Sequence, residues 1–216
     1  MRKFISIIIG LLGLSFVVII HELGHLLAAK FYGVGAPLFS IGFGPEITGI
    51  TWGQTYYQIC ILPLGGYVSL NQAQLNAQPF NTQAIIIIAG IAINIIFSYL
   101  IFGWFWLRHL PYREMLQSIM FGRSGIMGPI GIISLISYSA TVGIDYFFLV
   151  LATISFSIGL FNLVPLPFLD GGQLLGFARE ALQKSLPETN YINPLLGMIL
   201  IILGMYLIIR VAIRSR

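Results

Sequence analysis

Charge is what this sequence has least of. Only 8% of its 216 residues are Asp, Glu, Lys or Arg, against about a quarter in a soluble domain. That scarcity excludes an ordinary wet surface. The formal net charge of +4 excludes the dense basic face of a nucleic-acid binder, and the basic residues sit at segment ends, where they anchor helices to lipid headgroups. Cysteine is nearly absent as well. Cys60 stands alone, so the chain forms no internal disulfide and no multi-thiolate zinc site. Any metal here must use histidine and carboxylate. No small-residue cleavage site follows the apolar run after Met1-Arg2-Lys3, so that run reads as a retained transmembrane helix rather than a signal peptide.

Apolar residues are abundant: 57% of the chain, with a mean hydropathy of +0.93. Four long apolar segments cover about 4–29, 83–107, 142–164 and 194–213. At about 1.5 Å per residue each can cross a hydrocarbon core of roughly 30 Å. Trp104, Trp106, Tyr112, Tyr146 and Tyr191 lie near their ends, as interfacial aromatics do. Between the first two segments the pattern changes. Residues 38–70 are rich in glycine, threonine and aromatics. Thr55–Leu62 has strand propensity and Gly65-Gly66 signals a turn. The expected fold is an all-α membrane protein of about four transmembrane helices, with a small membrane-associated β-hairpin or sheet between helices 1 and 2. Residues 71–82 read as a polar linker, and 124–140, broken by Gly125, Gly128, Pro129 and Gly131, as a short interfacial or re-entrant helix. The whole of 1–216 reads as one domain.

The chemistry lies in two places. His21-Glu22-Leu23-Gly24-His25 is an H-E-x-x-H sequence. Residues four apart share a helix face, so both imidazoles can reach one ion, and the glutamate between them can take a proton from a water that the ion activates. The alternative is a pair of helix-end histidines satisfied by backbone or headgroups. Location argues against it. Apolar residues continue to Ala29, which puts Glu22 about 12 Å of helix before Lys30. Ionisable groups inside hydrocarbon are costly and mark function. A third protein ligand is needed, with one position left open. His109 lies beside Arg108 at the end of the second segment and reads as interfacial. Asp170 follows the third segment in Asn162-Leu163-Val164-Pro165-Leu166-Pro167-Phe168-Leu169-Asp170-Gly171-Gly172. Taken alone, it reads more readily as the cap of a helix starting near Gln173 than as a ligand.

Together these motifs resemble the site-2 proteases, intramembrane zinc metalloproteases that pair H-E-x-x-H in the first core helix with N-x-x-P-x-P-x-L-D-G-G at the third. Phe39–Pro45, Pro63–Val68, Ala89–Asn94 and Gly128–Ile130 further resemble the bacterial branch that cleaves anti-sigma factors, although the proline often found after the glycine of its G-x-x-x-N element is Ile91 here. The resemblance implies Zn2+ held by His21, His25 and Asp170, with Glu22 as the catalytic base. It also implies Asn94 and Asn162 near the active site, holding substrate backbone or steadying the oxyanion; read as residues alone, asparagines in membrane helices are interhelical hydrogen-bonding groups. Members of that branch carry PDZ domains between the second and third core helices. Here residues 108–141, 34 in all, leave too little room for one.

The expected function is therefore hydrolysis of peptide bonds within or near transmembrane segments. Single-span or signal-peptide-like membrane proteins are the expected substrates, the bacterial inner membrane the expected location, and an accessory gating partner is allowed. A proteolytically inactive scaffold or chaperone, and a metal transporter, are the rival readings. Charge and resemblance disagree on orientation. With four crossings, Arg2, Lys3, Arg108, Arg113, Arg123, Arg210, Arg214 and Arg216 share a side with the termini, against Lys30, Arg179 and Lys184 opposite. The positive-inside rule puts the termini in the cytoplasm, whereas the resemblance implies the reverse.

Overall fold

A computed structural model describes residues 2–108 and 129–185. The chain divides into two compact units, residues 1–161 and 162–216. The segment 194–213, Tyr112, Tyr191 and His109 lie outside the described residues.

The first unit opens with helix α1 (Arg2–Phe31), followed by strands β1 (Leu38–Trp52) and β2 (Thr55–Ser69), a short helix α2 (Gln72–Asn76) and the long helix α3 (Phe80–Leu107). Helices α4 (Pro129–Val142) and α5 (Ile144–Asn162) complete it, Asn162 being the first residue of the second unit. Residues 4–31, 80–107 and 144–162 are each apolar and long enough to cross a membrane. Phe4, Leu12, Phe16, Ile96, Tyr99 and Leu100 are exposed along α1 and α3, the positions lipid would cover. The protein is thus a multi-pass membrane protein built of helices with a small sheet between the first and second spans.

The strands are long because each is bent. Leu38 to Ile41 face Ser69 to Gly66 in antiparallel register, and the same stretch also faces Tyr56 to Ile59 in rising register. The second half of β1 then folds back on β2, from Glu46 opposite Cys60 to Trp52 opposite Thr55. Across the sheet the order is 66–69, 38–41, 56–60, 46–52. Gly42 and Gly65 carry the bends, with φ of 89° and 129°, values that favour glycine. The corner at Pro63–Gly65 is seated on α1: the Ser15 hydroxyl donates to the Pro63 carbonyl and accepts from Gly65 N–H. Leu26, Ala36 and Phe39 are buried together where sheet and helix meet, with Ile19 and Val68 packed beside them.

Three boundaries differ from expectation. The polar linker contains α2, capped by the Asn71 side chain on Gln74 N–H, and α3 begins at Phe80 rather than Gln83. Val142 ends α4 instead of opening the third span, because Gly143 breaks the chain at φ 156°. The segment read as a short interfacial or re-entrant helix is α4. It lies along α1 at Gly10, where an added Cβ would stand 2.6 Å from the Ile133 carbonyl. Its Leu135 and Ile136 are buried with Val17, Phe105, Leu149 and Ile154. Its 14 residues fall short of the 17 or so a crossing needs.

The second unit begins at Asn162. A loop through Pro165 and Pro167 leads into α6 (Asp170–Ser185).

Candidate metal centre

Helix α1 fixes the first half of the site by periodicity alone. His21 and His25, one turn apart, are both buried, at 4% and 5% exposure. Their Nε2 atoms approach to 3.2 Å. Two nitrogens bound at 2.0–2.1 Å to a tetrahedral ion stand about 3.3–3.4 Å apart, so the pair meets the spacing a shared zinc requires. Each ring is also held from behind. His25 Nδ1 lies 2.9 Å from the Ile86 carbonyl, which accepts a hydrogen bond from it and so turns Nε2 toward the site. His21 Nδ1 lies 3.4 Å from the side-chain amide of Asn94. Metal-binding histidines are oriented in this way, through the nitrogen that does not ligate.

Glu22 points to the sheet. Its Oε2 accepts the Val68 N–H at 3.0 Å, from the outermost strand stretch, 66–69. An edge strand has backbone donors to spare, and here one of them fixes a carboxylate. Val68→Pro removes this N–H while sparing the register, since proline is tolerated at edge positions whose N–H faces out of the ladder. The expected result is a metal content equal to that of the wild type with the Glu22 carboxylate released from the sheet, read from zinc per chain of one preparation.

Helix α3 closes the site from the other side by coming very near. A Cβ at Gly24 would stand 2.5 Å from the Ala89 carbonyl, and one at Gly90 would stand 2.4 Å from His25 Nε2. Two glycines therefore let α1 and α3 touch backbone to backbone at the level of the histidines. Asn94, one turn on, is fully buried.

In the second unit Asp170 is the first residue of α6 and is buried at 7% exposure. The helix starts at Asp170 and not near Gln173, with Gly172 N–H and Gln173 N–H both bonded to the Leu169 carbonyl. The paired glycines are there for room. A Cβ at Gly171 would fall 2.3 Å from the Leu163 carbonyl, and one at Gly172 would fall 1.9 Å from the Leu166 carbonyl. The proline loop thus folds directly over the first turn that carries the carboxylate. Asn162, half-buried, ends α5.

His21 and His25 of the first unit and Asp170 of the second are each buried side chains of a type that can hold a metal ion. Two imidazoles and one carboxylate match the chemistry of a catalytic zinc site with an open position. Sequence reasoning did not find the Val68 N–H or the Ile86 carbonyl, because backbone groups leave no mark in a sequence. Gly90 did leave one, as the glycine four residues before Asn94.

A helix-borne H-E-x-x-H buried inside a bundle of membrane-spanning helices defines a membrane protein built around a metal centre. The chain belongs to Peptidase family M50, whose profile matches residues 9–205. It is 35% identical over 104 residues to a Clostridium perfringens protein named "Putative zinc metalloprotease", covering 44% of this chain and 31% of that one. It is 37% identical over 123 residues to a Brucella suis protein of the same name, covering 46% and 32%. It is 29% identical over 131 residues to the chloroplastic membrane metalloprotease ARASP of Arabidopsis thaliana, covering 55% and 29%. The matched stretches span about a third of these relatives' length.

Proposed function

We propose that this protein is a zinc-dependent endopeptidase that hydrolyses peptide bonds within or next to transmembrane segments of other membrane proteins. The observation that carries the reading is the buried His21–His25 pair at 3.2 Å, with a carboxylate between them in sequence and spans of membrane length around them. His21, His25 and Asp170 hold the ion. When bound, zinc supplies a Lewis acid that polarises a carbonyl and lowers the pKa of water to about 7.

The protein's own groups do the rest. Glu22, held by the Val68 N–H, takes the proton from the attacking water and passes it to the leaving amine. The sheet receives the substrate. A helical peptide hides its carbonyls in its own hydrogen bonds, so the segment must unwind, and an extended segment can pair with the edge of the β1–β2 sheet by strand addition. Asn162, at the start of the loop that leads to Asp170, is the side chain proposed to steady the substrate backbone or the developing oxyanion. Substrates are single-span or signal-peptide-like membrane proteins, and the bacterial inner membrane is the proposed location.

The test is metal analysis of the purified chain together with cleavage of a panel of single-span substrates, with and without a chelator. Zinc near one ion per chain and chelator-sensitive cleavage are expected. Stoichiometric zinc with no cleavage of any substrate would favour a scaffold. Zinc flux into liposomes without cleavage would favour a transporter.

A further inference from the structure

We propose that Asn94 is a positioning residue of the metal centre: its side-chain amide holds His21 by Nδ1 and decides which imidazole nitrogen faces the ion. Asn94 is locked in place. Its backbone carbonyl accepts the hydroxyls of Ser98 at 2.7 Å and Ser155 at 3.1 Å. A Cβ on Gly159 of α5 would meet Asn94 Cβ at 3.4 Å, so that helix passes in close contact. Only the terminal amide is left free to turn.

That amide presents Nδ2 to His21 Nδ1 at 3.4 Å, while its Oδ1 is buried with no hydrogen-bond partner. In this orientation the amide donates and Nδ1 accepts, which leaves the one proton of a neutral imidazole on Nε2. His25 Nε2, 3.2 Å away, can accept that proton, because the proton of His25 is on Nδ1, facing the Ile86 carbonyl at 2.9 Å. A chain of donors and acceptors thus runs from Asn94 through His21 and His25 to Ile86.

A nitrogen that carries a proton cannot ligate a cation. To offer Nε2, His21 must carry its proton on Nδ1, and the group opposite must then accept. A half-turn of the Asn94 amide brings Oδ1, otherwise unpaired, onto the Nδ1–H. The two ends of the amide are nearly equal in size, so no other atom need move. Asparagine serves both tautomers. An aspartate would serve only the one that binds metal, and a leucine neither.

This inference rests on His21 being a zinc ligand, and the experiment separates the two ideas. The full chain in detergent is stripped of metal and titrated with zinc against a chromophoric chelator. Uptake by the wild type, measured first, tests the ligand reading. N94D and N94L then test the positioning role. N94D is expected to bind zinc no more weakly than the wild type, and N94L about 10–100-fold more weakly, the usual effect of losing an outer-shell partner. In 15N-histidine NMR of the metal-free protein, His21 of N94D is expected in the Nδ1–H tautomer and that of the wild type in the Nε2–H tautomer. Wild-type affinity in N94L would overturn the proposal, as would equal weakening of both variants. Should N94L fail to fold, N94D decides alone: a folded N94D with its His21 tautomer unchanged overturns it too.

Discussion

Glu22→Gln is expected to keep its zinc and to cleave a single-span substrate about 10²–10⁴-fold more slowly than the wild type, the range that a positioned general base contributes. The structure says why metal and activity should part. The Glu22 carboxylate is engaged by the Val68 N–H at 3.0 Å. A glutamine retains an oxygen that can accept the same bond, so the strand stays seated and α1 is undisturbed. What it cannot do is take a proton, since an amide has no basicity near neutral pH. The two readouts, zinc per chain and initial cleavage rate, should therefore diverge completely. A variant that retains both zinc and robust cleavage would remove Glu22 from the chemistry. One that loses both would show that the carboxylate holds the metal site together, and the base would have to be sought elsewhere.

The contrast with the Val68→Pro variant is instructive, because that change leaves the carboxylate present but frees it to move. If orientation matters, its deficit should lie between those of the wild type and the glutamine. The order of the three rates, with zinc constant across them, measures how far the sheet contributes to catalysis through a single backbone bond.

The spans and the histidine pair were legible in the sequence because both are local facts. A run of apolar residues of bilayer length has one plausible environment, and two histidines four apart on a helix must share a face. Helices α1 and α3 and the spanning part of α5 accordingly lie close to their expected ranges. The sheet was legible only as a region. Its bends at Gly42 and Gly65, and a β1 stretch flanked by β2 on both sides, depend on contacts between residues far apart in the chain. The same holds for α4. Its glycines and Pro129 suggested a short interfacial or re-entrant helix but not what it packs on, since glycines in membrane helices also mark close packing. The close approach it makes is to α1 at Gly10. Helix α2 was hidden by its shortness and polarity, since Leu75 is the one large apolar residue in Gln72–Asn76 and a single residue gives no period to read. At the site, side-chain donors could be named from the sequence. The groups that orient them could not, except where a glycine marked a close approach.

That exception supports the other large effect. Gly90→Ala is expected to lower zinc affinity at least about 100-fold, at the upper end of what disturbing a ligand's support costs, and to abolish cleavage with it. Gly90 touches no substrate and is not a ligand. Its role is to be small: an alanine Cβ would lie 2.4 Å from His25 Nε2, 2.7 Å from the neighbouring ring carbon and 2.9 Å from the His21 carbonyl. These atoms cannot all yield. The His21 carbonyl is helix backbone. The His25 ring is pinned at its other nitrogen by the Ile86 carbonyl, four residues before Gly90 on the same helix. Either His25 leaves its position, breaking that bond and withdrawing a ligand, or α3 retreats from α1. Retreat is opposed by the Ser155 hydroxyl of α5, which donates to the Asn94 carbonyl of α3 at 3.1 Å, and by the Ser98 hydroxyl, whose one proton is shared between the Asn94 and Ala152 carbonyls. Overpacking of this kind costs about 1–3 kcal/mol of stability, a moderate loss beside the loss of metal. Gly103 is the control. It lies on the same helix with nothing within 4 Å of an added Cβ, so Gly103→Ala should leave zinc, cleavage and melting temperature as they are. Equal behaviour of the two variants would mean that the α1–α3 contact does not shape the metal centre. A loss confined to Gly90→Ala would show that a side chain's absence, one turn before Asn94, is part of the site.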